Sequence, residues 1–273
     1  NPEGFEPTPI NVYTNGMPLI LILIALLPIL GLAFTTPNVT TLANGVKLVT
    51  VVDPTATVAS SYVFVRTGSI FEGKILGSGA SHYLEHLVAG GTTKTRSEQD
   101  YRQLINSFGG AYNAYTTYDH TAYYIHSAAN HIPHVIQVLA EWVTTADWTT
   151  KEFNRERGVV LKEMDRANNN SSRAIYQTVQ SNYYKDSTYR HPVIGYEPPF
   201  MNLTSQHLHD YYTANYVPEN FVIVIGGNIS ENAVIEDVKN AFEALPSIPA
   251  PTRQSFSSPR ILSQSHQSFH LDI

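Results

Sequence analysis

The chain of 273 residues contains no cysteine. This absence excludes disulfides and every metal site built on thiolates, so a bound metal would have to be held by His, Asp or Glu side chains. Basic residues are also scarce: 17 Lys and Arg stand against 23 Asp and Glu, which gives a formal net charge of -6. Because nucleic-acid binding depends on a basic surface, this balance argues against a nucleic-acid partner.

Charged residues are missing altogether from one stretch near the N-terminus, residues 17–34. Such a stretch is typical of a signal peptide or a short membrane anchor. The small residues Gly31 and Ala33 suit cleavage by signal peptidase, although only Glu3 and Glu6 precede the stretch and a basic leader is absent. We therefore expect residues 17–34 to direct export, with a periplasmic, extracellular or membrane-anchored product; a buried helix is the alternative interpretation. An Arg-rich mitochondrial presequence is absent, so a mitochondrial location is less expected.

Strand and helix patterns mix along the rest of the chain without a regular alternation. Asn44-Gly45 separates two apolar runs and predicts a β-hairpin, and residues 111–117 and 120–127 read as a second pair of strands. Residues 149–168 read as a long charged helix. Since antiparallel hairpins dominate, we predict an α+β fold, in which a layered, mainly antiparallel sheet packs with helices, rather than a doubly wound parallel sheet.

The clearest chemistry lies in residues 81–87, a short segment that is bounded by glycines and reads as a helix. Successive helical residues advance by about 100°, so His82, Glu85 and His86 fall within an arc of about 100°. Two imidazoles at positions i and i+4 form a natural pair of zinc ligands, and a carboxylate between them can hold and deprotonate a water. The order H-x-x-E-H is the reverse of the commoner H-E-x-x-H. With 11 His in the chain, a chance match on an exposed polar helix stays open.

A zinc site of this kind needs a third protein ligand, with the fourth position left to water. Glu156 and Glu163 lie on the predicted long helix and are seven residues apart. Seven residues make about two turns, so both carboxylates share nearly one face. A solvated charged face is the more usual meaning of such residues, and the spacing alone leaves both interpretations open.

Taken together, the H-Y-L-E-H stretch and Glu163 resemble the pitrilysin/insulinase family of zinc metallopeptidases, the inverzincins. That family includes the mitochondrial processing peptidase and bacterial half-length relatives. The resemblance runs in chain order from about residue 38 to residue 250. It includes residues 66–69 with Glu72, 91–92, 109–116, 155–157, 191–195 and 215–220.

The resemblance implies a role for each matching residue. His82, His86 and Glu163 match the ligands of one zinc ion per chain. Glu85 matches the general base, and Glu156 matches an acidic residue that assists the site.

The resemblance also points to a strand that binds substrate. Asn113, Ala114 and Tyr115 match a sheet edge that pairs with an extended peptide by β-augmentation. The implied function is therefore zinc-dependent endopeptidase action on extended peptides or unfolded proteins.

The implied domain plan has two parts after the lead and the export segment. Residues 1–16 are turn-rich and predict a disordered lead, residues 38–247 match the catalytic N-terminal domain, and residues 248–273 read as a linker with the truncated start of a second homologous domain. The partner half would come from the same chain or from a separate subunit. Two alternatives stay open: a non-catalytic homologue that serves as a structural or partner subunit, and a peptide-binding module that does not cut.

Overall fold

A computed structural model of the chain describes residues 36–253. The predicted lead (1–16) and export segment (17–34) lie outside these residues and stay predictions, as does the predicted start of a second domain beyond residue 253. Between residues 36 and 253, no helix has both the length and the apolar character needed to cross a membrane.

A single six-stranded sheet forms the centre of the described region, with strands in the order β1-β2-β6-β3-β5-β4. Every neighbouring pair is antiparallel except β2 and β6, which run parallel. The predicted α+β class and mainly antiparallel sheet are thus confirmed. The parallel pair was not foreseen, because it joins segments far apart in the sequence. The strands are β1 (Asn38–Thr41), β2 (Lys47–Val52), β3 (Ala59–Val65), β4 (Ala111–Thr116), β5 (Thr121–Ser127) and β6 (Phe221–Gly227).

Eight α-helices accompany the sheet in the described region. Three of them begin at capping boxes, where Ser97, Thr149 and Thr204 accept hydrogen bonds from the third helical residue, which caps them in return. The helices are α1 (Ala80–Val88), α2 (Glu98–Ser107), α3 (Ile132–Thr145), α4 (Thr150–Asn168), α5 (Ser171–Tyr183), α6 (Glu197–Met201), α7 (Ser205–Asn215) and α8 (Glu231–Phe242).

The core lies where α1 and α3 pack on the sheet and α4 packs on α1. Val63 and Ile125 supply it from the strands, and Leu84, Trp142 and Val160 supply it from the three helices; all five are fully buried. Burying a large apolar side chain of this kind stabilises the fold by about 1.5–3 kcal/mol. This packing fixes α1, the helix that carries both histidines, against the sheet.

The position of α1 is fixed further at its start and along its outer side. Gly79 adopts φ 72°, and a Cβ there would lie 2.1 Å from the carbonyl oxygen of Ile194, so only glycine lets α1 begin this close to that loop. The ring of Tyr83 packs on Phe153 of α4 and Phe200 of α6, and its hydroxyl donates to the carbonyl of Phe153. The histidine helix is therefore held by the sheet, by α4 and by α6.

Candidate metal centre

Helices α1 and α4 bring His82, His86 and Glu163 to one point. Glu163 Oε2 lies 3.5 Å from His82 Nε2 and 3.6 Å from His86 Nε2. One donor atom from each residue lies within 4.8 Å of the other two, and no other group of three His, Cys, Asp or Glu meets this spacing between residues 36 and 253. Catalytic zinc sites use three protein ligands and leave the fourth position to water, and two imidazoles with one carboxylate form such a set of three.

The protonation state of His82 suits a metal ligand. Burial first, and then the charges of His86 and Arg173, lower the pKa of His82 to about 3. The imidazole is therefore neutral at neutral pH, which is the form that binds metal. His82 Nδ1 is buried and has no hydrogen-bond partner among the described residues, whereas Nε2 faces the other donors. This donor set fits Zn²⁺.

Glu156 contacts the opposite side of the second imidazole. Its Oε2 lies 3.3 Å from His86 Nδ1, and Arg155 Nε donates to its Oε1 at 2.7 Å. Burial raises the pKa of Glu156, but the hydrogen bonds from His86 and Arg155 outweigh burial and hold the pKa below its ordinary value. An ionised carboxylate at Nδ1 keeps the proton on that nitrogen, which leaves His86 Nε2 free to face Glu163.

Burial alone would lower the pKa of His86. The hydrogen bond with Glu156 and the charge of Glu85 outweigh burial, so the pKa of His86 is raised. A metal ion at Nε2 would displace the proton that this raised pKa favours, so metal binding at His86 would release protons.

Glu85 lies on the same helix, between the two histidines in sequence and buried against the sheet. Its Oε2 accepts a hydrogen bond of 2.7 Å from Thr116 Oγ1, at the end of β4. Burial raises the pKa of Glu85, and the hydrogen bond from Thr116 only partly opposes this rise. A carboxylate whose pKa is shifted towards neutrality is suited to accept and return a proton.

Strand β4 is the edge of the sheet beside this centre, since it pairs only with β5 among the described strands. Asn113 and Ala114 line a cavity of about 220 Å³ together with Glu85, His86 and Glu156. The third residue predicted to bind substrate, Tyr115, has its ring on the opposite face of the sheet, against His120 and Tyr124. The Tyr115 side chain, which is exposed, therefore lies on the face of the sheet away from Glu85.

Residues 47–197 match the sequence model of the family described as Insulinase (Peptidase family M16). The chain belongs to the insulinase family. Residues 202–270 match a second model of the same group, described as the Peptidase M16 inactive domain. The family resemblance inferred from the motifs is confirmed.

Several relatives of this insulinase-family chain are known. An uncharacterized zinc protease of Streptomyces coelicolor is 30% identical over 215 residues, which are 79% of this chain and 46% of the relative. The mitochondrial-processing peptidase subunit beta of Dictyostelium discoideum is 26% identical over 205 residues, 75% of this chain and 43% of that protein. The chain therefore spans about half the length of the curated relatives it matches.

A solved structure of a protease from Helicobacter pylori matches this insulinase-family chain with a TM-score of 0.74 at 26% identity. The match covers 83% of this chain and 54% of the other. This likeness supports the fold described above.

One buried carboxylate of the insulinase-family chain supports α1 from outside the helix. Glu72 Oε1 accepts hydrogen bonds of 2.9 Å from both the backbone N and the Oγ of Ser81. The residue before the helix, Gly79, has no side chain to cap it, so Glu72 satisfies a free N–H of the first turn. The sequence marked Glu72 only as part of the family resemblance, because no local pattern indicates a cap nine residues away.

Glu72 should give the stability of the fold a measurable pH dependence. Burial raises its pKa from 4.5 to about 7, against the opposing hydrogen bonds from Ser81. The folded state then binds this proton more tightly than the unfolded chain, so the free energy of unfolding decreases as pH rises from about 4.5 to about 7. We expect Glu72→Gln, which keeps an oxygen for Ser81, to remove about 2–3 kcal/mol of this decrease. Urea unfolding at pH 5 and pH 7.5 measures it.

The matched control is Glu236→Gln, since Glu236 is an exposed glutamate on α8. It should leave the pH dependence as in the wild type. An identical decrease in the wild type and in Glu72→Gln would contradict the assignment to Glu72.

Proposed function

We propose that this chain carries the catalytic centre of a zinc-dependent endopeptidase that hydrolyses extended peptides or unfolded proteins. The observation that carries the proposal is the convergence of His82 Nε2, His86 Nε2 and Glu163 Oε2 beside Glu85. Membership in a peptidase family supports the reaction class, and the name of the Streptomyces relative supports zinc as the metal.

In this proposal His82, His86 and Glu163 hold one zinc ion per chain. The ion, when bound, supplies Lewis acidity that polarises the scissile carbonyl and makes a water molecule more acidic. Glu156 keeps the His86 ring oriented through Nδ1.

Glu85 does the proton chemistry. Its carboxylate takes a proton from the attacking water and passes the proton to the nitrogen of the leaving amine. The hydrogen bond from Thr116 to Oε2 holds this carboxylate in place. Burial raises the pKa of Glu85, so the carboxyl is a better proton acceptor than an exposed glutamate.

The outer edge of β4, which pairs only with β5 among the described strands, supplies the binding surface. A peptide laid beside residues 113–115 forms backbone hydrogen bonds without regard to its side chains. Only an extended segment can pair in this way, which is why the proposed substrates are flexible peptides and unfolded proteins rather than folded domains.

Zinc content and hydrolysis test the proposal together. Because three donors converge at one point among the described residues, we expect about one zinc per chain in the purified full-length protein. This protein should cleave an unstructured peptide, lose that activity on dialysis with a chelator, and regain it when zinc is added back. Metal analysis and mass spectrometry of the products are the measurements.

The alternatives predict different results. A non-catalytic subunit or a peptide-binding module would bind partner or peptide without producing fragments. Hydrolysis that survives complete removal of the metal would contradict the proposed mechanism.

A further inference from the structure

A second and larger cavity adjoins the candidate metal centre. It has a volume of about 680 Å³, and His82, Thr116 and Glu163 form part of its wall. It shares no lining residue with the smaller cavity beside Glu156. A substrate side chain that enters this space would therefore belong to a residue close to the scissile bond.

Two arginines of this cavity lack carboxylate partners. Arg166 lies in the last turn of α4 and Arg173 in the first turn of α5, and both line the cavity. No carboxylate between residues 36 and 253 lies within 4.0 Å of either guanidinium. By contrast, Arg155 on the same α4 binds both Glu98 and Glu156.

The carboxylates near the cavity do not cancel this charge. Glu163 is the single acidic residue among the described lining residues, and it faces the two histidines as a proposed metal ligand. The cavity is thus a local basic site in a chain whose formal net charge is -6. A basic site in an acidic protein indicates a specific anionic ligand rather than a general attraction to anions.

The remaining wall suits a side chain with an apolar stem. Tyr118 and Tyr176 contribute aromatic rings, and residues 192–194 contribute Pro, Val and Ile. Tyr118 and Arg173 line the same cavity. Apolar walls that end at guanidinium groups match the methylene stem and carboxylate of Glu or Asp, and Arg binds carboxylates through paired hydrogen bonds.

We propose that Arg166 and Arg173 select peptides that carry an acidic side chain beside the scissile bond. This inference rests on the proposed peptidase function and specifies its substrate class. The same two cations disfavour a Lys or Arg side chain at that position, because like charges would be brought together in the cavity.

The test uses zinc-loaded full-length protein and unstructured peptides, amidated at the C-terminus so that only the side chain varies. Three peptides carry Glu, Gln or Lys at one position, which is moved in turn along the sequence while mass spectrometry locates the cut. We expect kcat/KM to be about tenfold higher for Glu than for Gln next to the cut, and lowest for Lys. The preference should weaken as ionic strength rises.

Variants of the two arginines assign the effect. The double change Arg166→Gln with Arg173→Gln should bring the Glu-to-Gln ratio close to one, and the double change to Glu should make Lys the preferred residue. Lys151→Gln is the matched control, because Lys151 is an exposed cation on the same helix about 18 Å from Glu163 along the axis. It should keep the wild-type ratio.

A binding measurement separates this inference from the proposed function. Fluorescence anisotropy with labelled peptides on the Glu85→Gln protein measures affinity without turnover. Equal cleavage of the Glu, Gln and Lys peptides by the wild type would overturn the subsite and leave the peptidase intact. Absence of any cleavage, with Glu peptides still bound about tenfold more tightly than Gln peptides, would overturn the peptidase and support the subsite.

Discussion

Glu85→Gln is expected to abolish peptide hydrolysis while the protein keeps its zinc. The amide has nearly the size of the carboxylate and can still accept the hydrogen bond from Thr116. It cannot take a proton from water at neutral pH, so the rate should fall at least by the roughly 10²–10⁴-fold that a general base contributes. Steady-state rates on an unstructured peptide, measured with zinc analysis of the same sample, test this.

The control for this experiment is a Glu→Gln change that lies away from the candidate metal centre. Glu236 on α8 is exposed and bonds only Lys239 among the described residues, so Glu236→Gln should retain the wild-type rate. The full-length protein is required, since the chain spans about half the length of its curated relatives. Wild-type turnover by Glu85→Gln would refute the assignment of Glu85 as the base.

Removing one metal ligand is expected to remove the metal. His86→Ala and Glu163→Ala each leave two protein donors where three now converge, so zinc should fall from about one per chain to a small fraction after dialysis. Activity should be lost with it. Glu156→Gln should behave differently, because Glu156 contacts His86 Nδ1 and not the point where the three proposed ligand atoms converge. We expect this change to weaken zinc affinity by about 10–100-fold.

Zinc titration with a competing chelator ranks these variants. Circular dichroism on each variant shows whether a loss of zinc reflects a lost ligand or a lost fold. A Glu163→Ala protein with wild-type zinc affinity would remove Glu163 from the ligand set. A Glu156→Gln protein as metal-free as Glu163→Ala would place Glu156 among the ligands.

Much of the candidate site follows from local sequence periodicity. The 3.6-residue repeat places His82, Glu85 and His86 on adjoining faces of one short helix, and the seven-residue interval places Glu156 and Glu163 on one side of another. That α1 and α4 pack against each other is set by tertiary contacts, which periodicity does not reveal. Periodicity therefore left the solvated-face interpretation open until the family resemblance and the structure placed both helices side by side.

The features that were missed depend on contacts between distant segments. The parallel pairing of β2 with β6 and the cap that Glu72 supplies to Ser81 have no local signature. The direction of Tyr115 depends on such a contact as well, because side chains alternate along a strand and the hydrogen bond to Glu85 turns Thr116 towards α1. Arg166 and Arg173 line one cavity only because the chain turns between α4 and α5.

Thr116 ends the edge strand β4 and donates a hydrogen bond to Glu85, so it links the proposed peptide-binding strand to the proposed general base. A strand rises about 3.3 Å per residue and turns its side chains over at each step. A peptide displaced by one residue along β4 would present the wrong face to the cavity of Arg166 and Arg173, and a displacement of two would restore that face with a new peptide bond at Glu85. In the proposed enzyme, pairing with the edge strand therefore restricts cleavage to positions that are spaced two residues apart.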